Sequence, residues 1–287
     1  MKTTIRRVLF LAMASLLGSA SSALASGHGP VFGMTTPTNA KGGWSLDLGL
    51  MGRQGQRDSG AVLRAMLSYG ITEDLQVSVT APVVFGSPPL FAPARVTGMM
   101  PATSDFEAFT AWRFHRQATN VGFRFETTAY AGIVMPGPQK PFGLRGDFNK
   151  APGGHAAIAT GFTSRSHYFW VGTGYTGFAE ADGDRRPAAV GYSVVWGYRP
   201  PPLRKEYPHW DGRLFIEMSG SRSGKLQRRG AVIPETGGHD IFLGPTTLWI
   251  YKNYAIEGGI QFPVYSNIGA LHQRERFRFT INISCFF

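Results

Sequence analysis

The sequence predicts a transmembrane antiparallel β-barrel of the bacterial outer-membrane type, with about twelve strands. Three observations predict this fold: a secretory leader, side chains that alternate with a period of two, and connections that alternate in length. The composition agrees, since the 287 residues include 37 glycines and 13% aromatic residues but only 16% charged residues. Outer-membrane barrels use aromatic side chains at the two membrane interfaces.

The first residues have the pattern of a secretory signal peptide. Three basic residues within the first seven positions precede an apolar stretch at 8–17, and Ala-Leu-Ala at 23–25 is a cleavage motif. We expect cleavage after Ala25. The apolar stretch is about half of the ~20 residues that a spanning helix needs, which argues against an anchor.

The last segment shows the period-two alternation most clearly. Between Arg276 and Phe287, eleven of twelve positions fit apolar side chains on one face and polar side chains on the other. We expect the apolar set to face lipid: Phe277, Phe279, Ile281 and Ile283. The same pattern recurs in segments near the ~9 to 11 residues that a tilted membrane strand requires. The twelve predicted strands are 44–54, 60–70, 73–83, 104–116, 121–135, 154–164, 167–178, 188–199, 211–221, 239–252, 254–264 and 275–287.

The connections between these segments alternate between short and long. Short links at 70–72, 117–120, 165–166 and 253 are separated by long stretches such as "FGSPPLFAPARVTGMMPATSD". Short periplasmic turns and long outer loops are the rule for these barrels. One link, "RPPPLRKEYPHWDG", is longer than a periplasmic turn should be.

A soluble β-sandwich would show the same alternation, but it would bury its apolar face against a second sheet. Aromatic residues near the predicted strand ends, at 168–170, 196–198 and 249–254, instead indicate an interfacial girdle. The chain then divides into a signal peptide (1–25), an N-terminal segment (26–43) and the barrel (44–287). The N-terminal segment is polar and rich in glycine and proline, so it is either a lumen plug or a disordered periplasmic tail.

Two stretches also indicate a family. "MLSYGITEDLQVSVTAPVVF" and "YAIEGGIQFPVYSNIGALHQRERFRFTINISCFF" resemble the meta-pathway phenol degradation family of outer-membrane proteins, which are described as transporters. The resemblance implies a barrel channel for small, often aromatic compounds. Phe287, which closes an alternating strand, resembles the C-terminal signal that the outer-membrane assembly machinery reads.

Charged residues are expected to face the barrel interior. They can form a cross-strand network that stiffens a narrow barrel, or a selectivity ladder in a conducting pore. The predicted set is Asp47, Arg64, Arg124, Glu126, Arg213, Glu217, Glu257, Arg276 and Arg278.

The long loop after the third predicted strand carries apolar side chains among prolines, including Phe91, Met99 and Met100. Exposed apolar surface of this kind is costly unless it packs or binds a ligand. The loop is therefore expected to form the outer vestibule of a channel for a small apolar or aromatic solute, or else to fold inward as a cap.

Other classes of function make different demands on the sequence. A structural or adhesive barrel would act through its loops, and Lys225, Arg228 and Arg229 would suit lipopolysaccharide phosphates. A lipid hydrolase is less expected, because it needs a serine activated by a histidine and the histidines are scattered. A net charge of +11 without interleaved aromatic residues does not indicate a nucleic-acid partner.

The new N-terminus left by cleavage after Ala25 has a weak metal-binding pattern. A mature chain starting Ser26-Gly27-His28 could bind Cu(II) or Ni(II) in a square-planar set of nitrogen ligands. We expect no cofactor and no functional metal. The expected partners are the lipid bilayer, lipopolysaccharide, the assembly machinery and the solute.

Overall fold

A computed structural model describes residues 29–56, 59–86, 105–120, 122–135, 151–271 and 274–287. Twelve long strands form a closed antiparallel barrel in which the first strand pairs with both the second and the last. These are β1 (Trp44–Gly55), β2 (Ser59–Gly70), β3 (Leu75–Gly86), β4 (Phe106–Asn120), β5 (Phe123–Met135), β6 (Gly153–Thr163), β7 (His167–Phe178), β10 (Ala189–Tyr198), β11 (Asp211–Ser223), β14 (Gly238–Tyr251), β15 (Tyr254–Ile268) and β16 (Glu275–Phe286). The predicted fold class is confirmed.

Most strand bounds lie within a few residues of the predicted ones. The two larger differences are β4, which continues to Asn120, and β15, which continues to Ile268. In β4 the pairing register shifts twice, between Arg113 and His115 and between Ala118 and Asn120. Extra residues of this kind break the simple alternation, so the sequence pattern fades before the strand ends.

The two ends of the barrel differ. At one end, here called the turn end, lie the links at 71–74, 164–166 and 252–253 together with the start of β1 and the C-terminus. There the Trp44 N–H donates to the Phe287 carbonyl at 2.7 Å, and the Phe287 N–H donates to the Trp44 carbonyl at 3.0 Å. Through these two hydrogen bonds the last residue helps to close the contact between β1 and β16. The opposite end of the barrel, here called the loop end, carries the long connections.

The long link at 199–210 also lies at the turn end, and it is folded against its neighbours. It contains a single 3-10 turn at Pro201–Leu203. The Arg199 guanidinium pairs with Asp211 at 2.6 Å, and Arg204 donates to the Ser166 hydroxyl at 3.3 Å. The link thus packs on the turn between β6 and β7.

The outer surface of the barrel is apolar. Large aliphatic side chains that would be buried in a water-soluble protein are exposed on strands all around the wall. They include Leu48, Leu50, Leu63, Leu67, Val79, Ile133, Ile158, Val171, Leu214, Ile216, Leu243, Ile256, Ile281 and Ile283. A continuous band of this kind is the lipid-facing surface of a transmembrane barrel.

Aromatic residues ring the turn end of this band. The exposed members are Trp44, Trp112, Trp196, Trp210 and Tyr254. Neighbouring rings pack in pairs, with centroids 4.6 Å apart for Trp44 and Tyr69 and 5.0 Å apart for Trp210 and Tyr251. Of the aromatic residues expected in the girdle, however, Tyr168 and Trp170 are buried and point into the barrel.

Four short strands that the sequence pattern does not predict lie outside the barrel. They are β8 (Glu180–Ala181), β9 (Asp184–Arg185), β12 (Gln227–Arg228) and β13 (Ala231–Val232), and they form one sheet in the order β13-β12-β9-β8. Two loops at the loop end are thereby joined into one small structure, called here the outer sheet. In the residues that the structure describes, no helix is long and apolar enough to cross a bilayer.

Candidate functional site: the barrel lumen and its plug

One part of the inner wall consists of small residues. On β6, β7 and β10 the inward positions include Ala159, Gly161, Gly172 and Ser193, all of which are buried. Along part of each of these strands a small inward residue alternates with a larger outward one, for example Gly172 beside Val171. The short side chains leave space in the lumen for another part of the chain.

That space holds the beginning of the described chain. Residues 29–39, called here the plug, are almost entirely buried inside the barrel, and residues 40–43 lead from them to β1. Met34 packs on Gly172 so closely that a Cβ atom on the glycine would lie 2.6 Å from the Met34 Cβ. A side chain at Gly33 would likewise overlap Val195. The fit therefore requires glycine on the wall and glycine in the plug.

The strongest attachment of the plug is to Glu217. The backbone N–H groups of Val31, Phe32 and Gly33 donate to the two carboxylate oxygens at 2.9, 2.7 and 2.8 Å. The Thr246 hydroxyl donates to the same carboxylate. Glu217 is fully buried, where an ionised carboxylate is costly unless donors surround it. Successive backbone N–H groups provide such a concave anion-binding arrangement.

A second attachment lies nearer the turn end, at Thr36. Its hydroxyl donates to the buried Glu126 carboxylate at 3.2 Å, and its carbonyl accepts from the Thr128 hydroxyl at 2.6 Å. The Trp170 indole N–H donates to the Thr36 hydroxyl at 3.2 Å. Glu126 also pairs with Arg113 at 3.4 Å, so its charge is balanced within the wall.

The last residues of the plug are fixed at the turn end. The Thr38 hydroxyl donates to the Glu73 carbonyl at 2.8 Å, and the Asn39 N–H donates to the Gln76 side chain at 2.8 Å. The Asn39 amide also donates to the Ser45 hydroxyl at 3.1 Å. Polar contacts therefore hold the plug along its whole length, from the middle of the barrel to its turn end.

An apolar cluster fills the interior beside the plug. It consists of Tyr168, Trp170, Val195, Phe215, Leu248, Ala255 and Phe286. Phe286 is the single position of the last strand that departs from the predicted alternation, and it is buried in this cluster. Tyr168 and Trp170 belong to this cluster because they occupy inward positions of β7, whereas the girdle residues occupy outward positions of their strands. These large side chains narrow the lumen at the turn end.

The charged residues predicted to face the interior differ in how deeply they are buried. Six are buried, namely Asp47, Arg64, Glu126, Glu217, Glu257 and Arg278. Arg124 and Arg213 are half-buried, and each lies near a carboxylate, at 3.7 Å from Glu126 and 3.2 Å from Asp211.

Arg276 is exposed and does not join the buried set. The register of β16 against β1 shifts between Gln54 and Gly55, where Phe277 and Glu275 are the paired residues and Arg276 is passed over. Glu275 instead pairs with Arg53 at 3.3 Å. A bulge re-aims the side chain next to it, which strict alternation cannot anticipate.

Arg278 sits in a dense contact network on the inner wall. Its guanidinium donates to the Gln261 side chain at 2.9 Å and to the Ser219 hydroxyl, and it lies 3.8 Å from the centre of the Phe242 ring. Asp47 accepts from the Ser284 hydroxyl at 2.5 Å across the β1–β16 seam. These contacts link neighbouring strands, as in a cross-strand network that stiffens the barrel.

Several predicted site residues lie outside the described residues. They are the vestibule residues Phe91, Met99 and Met100 and the N-terminal Ser26, Gly27 and His28. In the described ranges, no group of His, Cys, Asp and Glu residues has a metal-binding arrangement. The Ser164 hydroxyl in the β6–β7 turn accepts the His167 backbone N–H at 2.8 Å, which is a turn contact.

The sequence-based list omits residues that the plug touches. Ser193 accepts the Met34 N–H at 2.9 Å, and Arg113 is a main partner of Glu126. The register shift next to Arg113 hides its inward orientation from the alternation pattern. The run of small inward residues on β6, β7 and β10 is a signal that could have identified the wall facing the plug.

A closed twelve-stranded wall, an apolar outer band and a polar interior define an outer-membrane-type transmembrane β-barrel. Among solved structures, the chain is similar to the COG4313 outer membrane channel from Pseudomonas putida F1, with a TM-score of 0.65 and 10% identity over 88% of this chain and 98% of that one. It also matches the NanC porin (TM-score 0.49, 8% identity, 84% and 98% covered) and LpxR from Salmonella typhimurium (0.47, 12%, 85% and 100%). At these identities the similarity is one of fold. No family model matches the chain, and no curated protein matches its sequence.

Proposed function

We propose that the protein is an outer-membrane channel for a small solute and that the plug closes its lumen at rest. The observation that carries this proposal is that a segment separate from the strands fills the lumen. Twelve strands enclose more space than their own side chains fill, unlike eight-stranded barrels. Because the plug is joined to the wall covalently only through residues 40–43, it can withdraw as one piece.

The wall behind the plug suits a solute pathway. Glu126, Thr128, Ser193 and Glu217 would all face the lumen once the plug has left, and each can hydrogen-bond to water or to a solute. Polar and charged side chains along a pore determine what passes through it. By the rule for these barrels, the turn end faces the periplasm and the loop end faces outward.

The solute is proposed to be small and apolar or aromatic. This rests on the resemblance of two stretches to the phenol degradation family and on the apolar loop with Phe91, Met99 and Met100. Replacing these three residues by serine should lower uptake of an apolar solute into cells and leave the heat stability of the barrel on gels unchanged. Lower heat stability with normal uptake per folded barrel would instead mean that the loop is a structural cap.

Planar-bilayer recording tests the channel itself. The wild-type barrel should be closed most of the time, and a variant lacking residues 26–39 should show long-lived conductance steps. Heat-modifiable mobility on gels shows whether the shortened protein still forms a barrel. If a folded plug-less barrel conducts no more than the wild type, the channel proposal is wrong.

If the plug-less barrel does not conduct, a structural or adhesive function of the loops becomes the better proposal. The outer sheet favours it, because two loops that merely connected strands would not need to pair with each other. It carries Arg228 and lies beside Lys225 and Arg229, so it would contact lipopolysaccharide phosphates. A lipid hydrolase would be detected by a deacylation assay on the refolded protein.

A further inference from the structure

Arg64 on β2 is buried in the lumen with few partners. Its side chain is 2% exposed, and its Nη2 group lies 3.3 Å from the Met66 sulfur. Among the residues that the structure describes, its Nε and Nη1 groups have no hydrogen-bond partner. A buried guanidinium with unused donors is energetically costly, so such a group is expected to bind an acceptor.

A second unused group lies beside it. Thr80 on β3 is directly opposite Met66 in the β2–β3 ladder, one inward position from Arg64. Its hydroxyl is buried and likewise has no partner within the described ranges. Arg64 and Thr80 therefore direct several free donors toward one part of the lumen.

Apolar side chains line one part of the space around these donors. The neighbouring inward positions are occupied by the buried side chains of Val62, Met66 and Phe109, and Phe109 lies against the His155 ring with centroids 5.9 Å apart. An apolar lining with a small number of placed polar groups is typical of small-molecule sites.

Two carboxylates near Arg64 restrict the charge that the site accepts. Asp47 and Glu107 both interact electrostatically with the guanidinium, and Glu107 is directly opposite Thr80 in the β3–β4 ladder. Asp47 is held by the Ser284 hydroxyl, so it stays on the wall. A ligand with one carboxylate can use the free donors of Arg64 against this repulsion, whereas a second carboxylate would meet the same repulsion without a second cation to bind it.

We propose that Arg64 and Thr80 bind the carboxylate of a monocarboxylic acid whose small apolar body packs on Val62, Met66 and Phe109. This inference rests on the proposed function, because it names the class of solute that the lumen receives. The solute is then apolar over most of its length and singly charged at one end.

Three six-carbon probes separate charge from apolar contact. Binding of hexanoate, adipate and hexanol to the full-length barrel in detergent micelles is measured by NMR titration, with empty micelles as a blank. Hexanoate should bind, and adipate should bind at least about tenfold more weakly because it carries a second carboxylate. Equal binding of hexanoate and adipate would overturn the proposal.

The residue-level test compares two arginines. Arg64→Gln should weaken hexanoate binding by about tenfold, the lower end of what a charge-assisted hydrogen bond contributes, and leave hexanol binding unchanged. Arg53→Gln is the matched control, since Arg53 also lies on the inner wall but is paired with Glu275. Unchanged hexanoate binding in Arg64→Gln would refute the site. If that variant does not fold, Thr80→Val takes its place, with an expected loss of about threefold.

These results are independent of conductance. A barrel that binds hexanoate through Arg64 but never conducts without its plug would retain the site and refute the channel. A barrel that conducts without its plug but does not bind hexanoate would retain the channel and refute the site.

Discussion

At the scale of single residues, Glu217 links the wall of the barrel to the plug. Three of its donors are backbone N–H groups of the plug, at 2.7 to 2.9 Å, and the fourth is the hydroxyl of Thr246 on the wall. If the plug leaves, a buried carboxylate loses most of its hydrogen bonds and must be solvated by water. The charge of this one side chain therefore favours the arrangement in which the plug occupies the lumen.

Glu217→Gln should make the plug leave more often. A glutamine has one acceptor oxygen without a negative charge, and its amide NH₂ group faces the N–H donors of the plug. Loss of charge-assisted hydrogen bonds, each contributing ~1.5–3 kcal/mol, should raise the open fraction in bilayer recordings by about tenfold or more. Glu275→Gln is the control, because Glu275 is paired with the side chain of Arg53 at the loop end and not with the backbone of the plug. An equal increase in both variants would contradict this role of Glu217.

At the scale of elements, the plug fits because three strands carry small residues at inward positions. Met34 occupies the space over Gly172, and its N–H reaches Ser193 on the neighbouring strand. The outward positions of the same strands keep larger apolar side chains for lipid, such as Val171 and Ile158. One set of strands thus serves two environments, and its small inward face makes room for the plug.

A disulfide between the plug and β7 should lock the channel shut. A Cβ atom on Gly172 would lie 2.6 Å from the Met34 Cβ, and a disulfide needs about 3.5–4.5 Å, so a shift of about an ångström admits the bond. Met34→Cys with Gly172→Cys, in a background with the single native cysteine replaced by serine (Cys285→Ser), should not conduct when oxidised. A reductant should restore openings.

The single variants Met34→Cys and Gly172→Cys control for the effect of reductant and for displacement of the plug by a side chain at position 172. Formation of the bond is checked by mass spectrometry on the folded protein. If the cross-linked barrel conducts as the reduced one does, the plug is not the gate.

At the scale of the whole molecule, closure of the barrel depends on the seam between its first and last strands. β1 and β16 pair over almost their whole length, from Ser45 opposite Phe286 to Arg53 opposite Arg278. The two hydrogen bonds between Trp44 and Phe287 complete this seam at the turn end. The C-terminal residue therefore has a place in the structure as well as the predicted role in assembly.

Two variants separate these roles of Phe287. Deletion removes the ring and both backbone hydrogen bonds, whereas Phe287→Ala removes the ring alone. We expect both variants to insert into the outer membrane severalfold more slowly than wild type, with the deletion slower, as measured by the appearance of the heat-modifiable form in pulse-chase experiments. Insertion of Phe287→Ala at the wild-type rate would show that the aromatic ring is not a signal.

The sequence by itself determined the class of fold, the number of strands in the barrel wall and, for strands without bulges such as β16 over Phe277–Ile283, the face turned to lipid. It did so because period-two alternation records the environment of each side chain within one strand and needs no knowledge of the other strands. Only the tertiary structure decided that residues 29–39 lie in the lumen, that Tyr168 and Trp170 point inward and that Arg276 stays exposed. The contact between Val31 and Glu217 joins residues 186 positions apart, and it exists only after the barrel has closed around the plug. Contacts of this range depend on register, bulges and closure, which are properties of the assembled sheet.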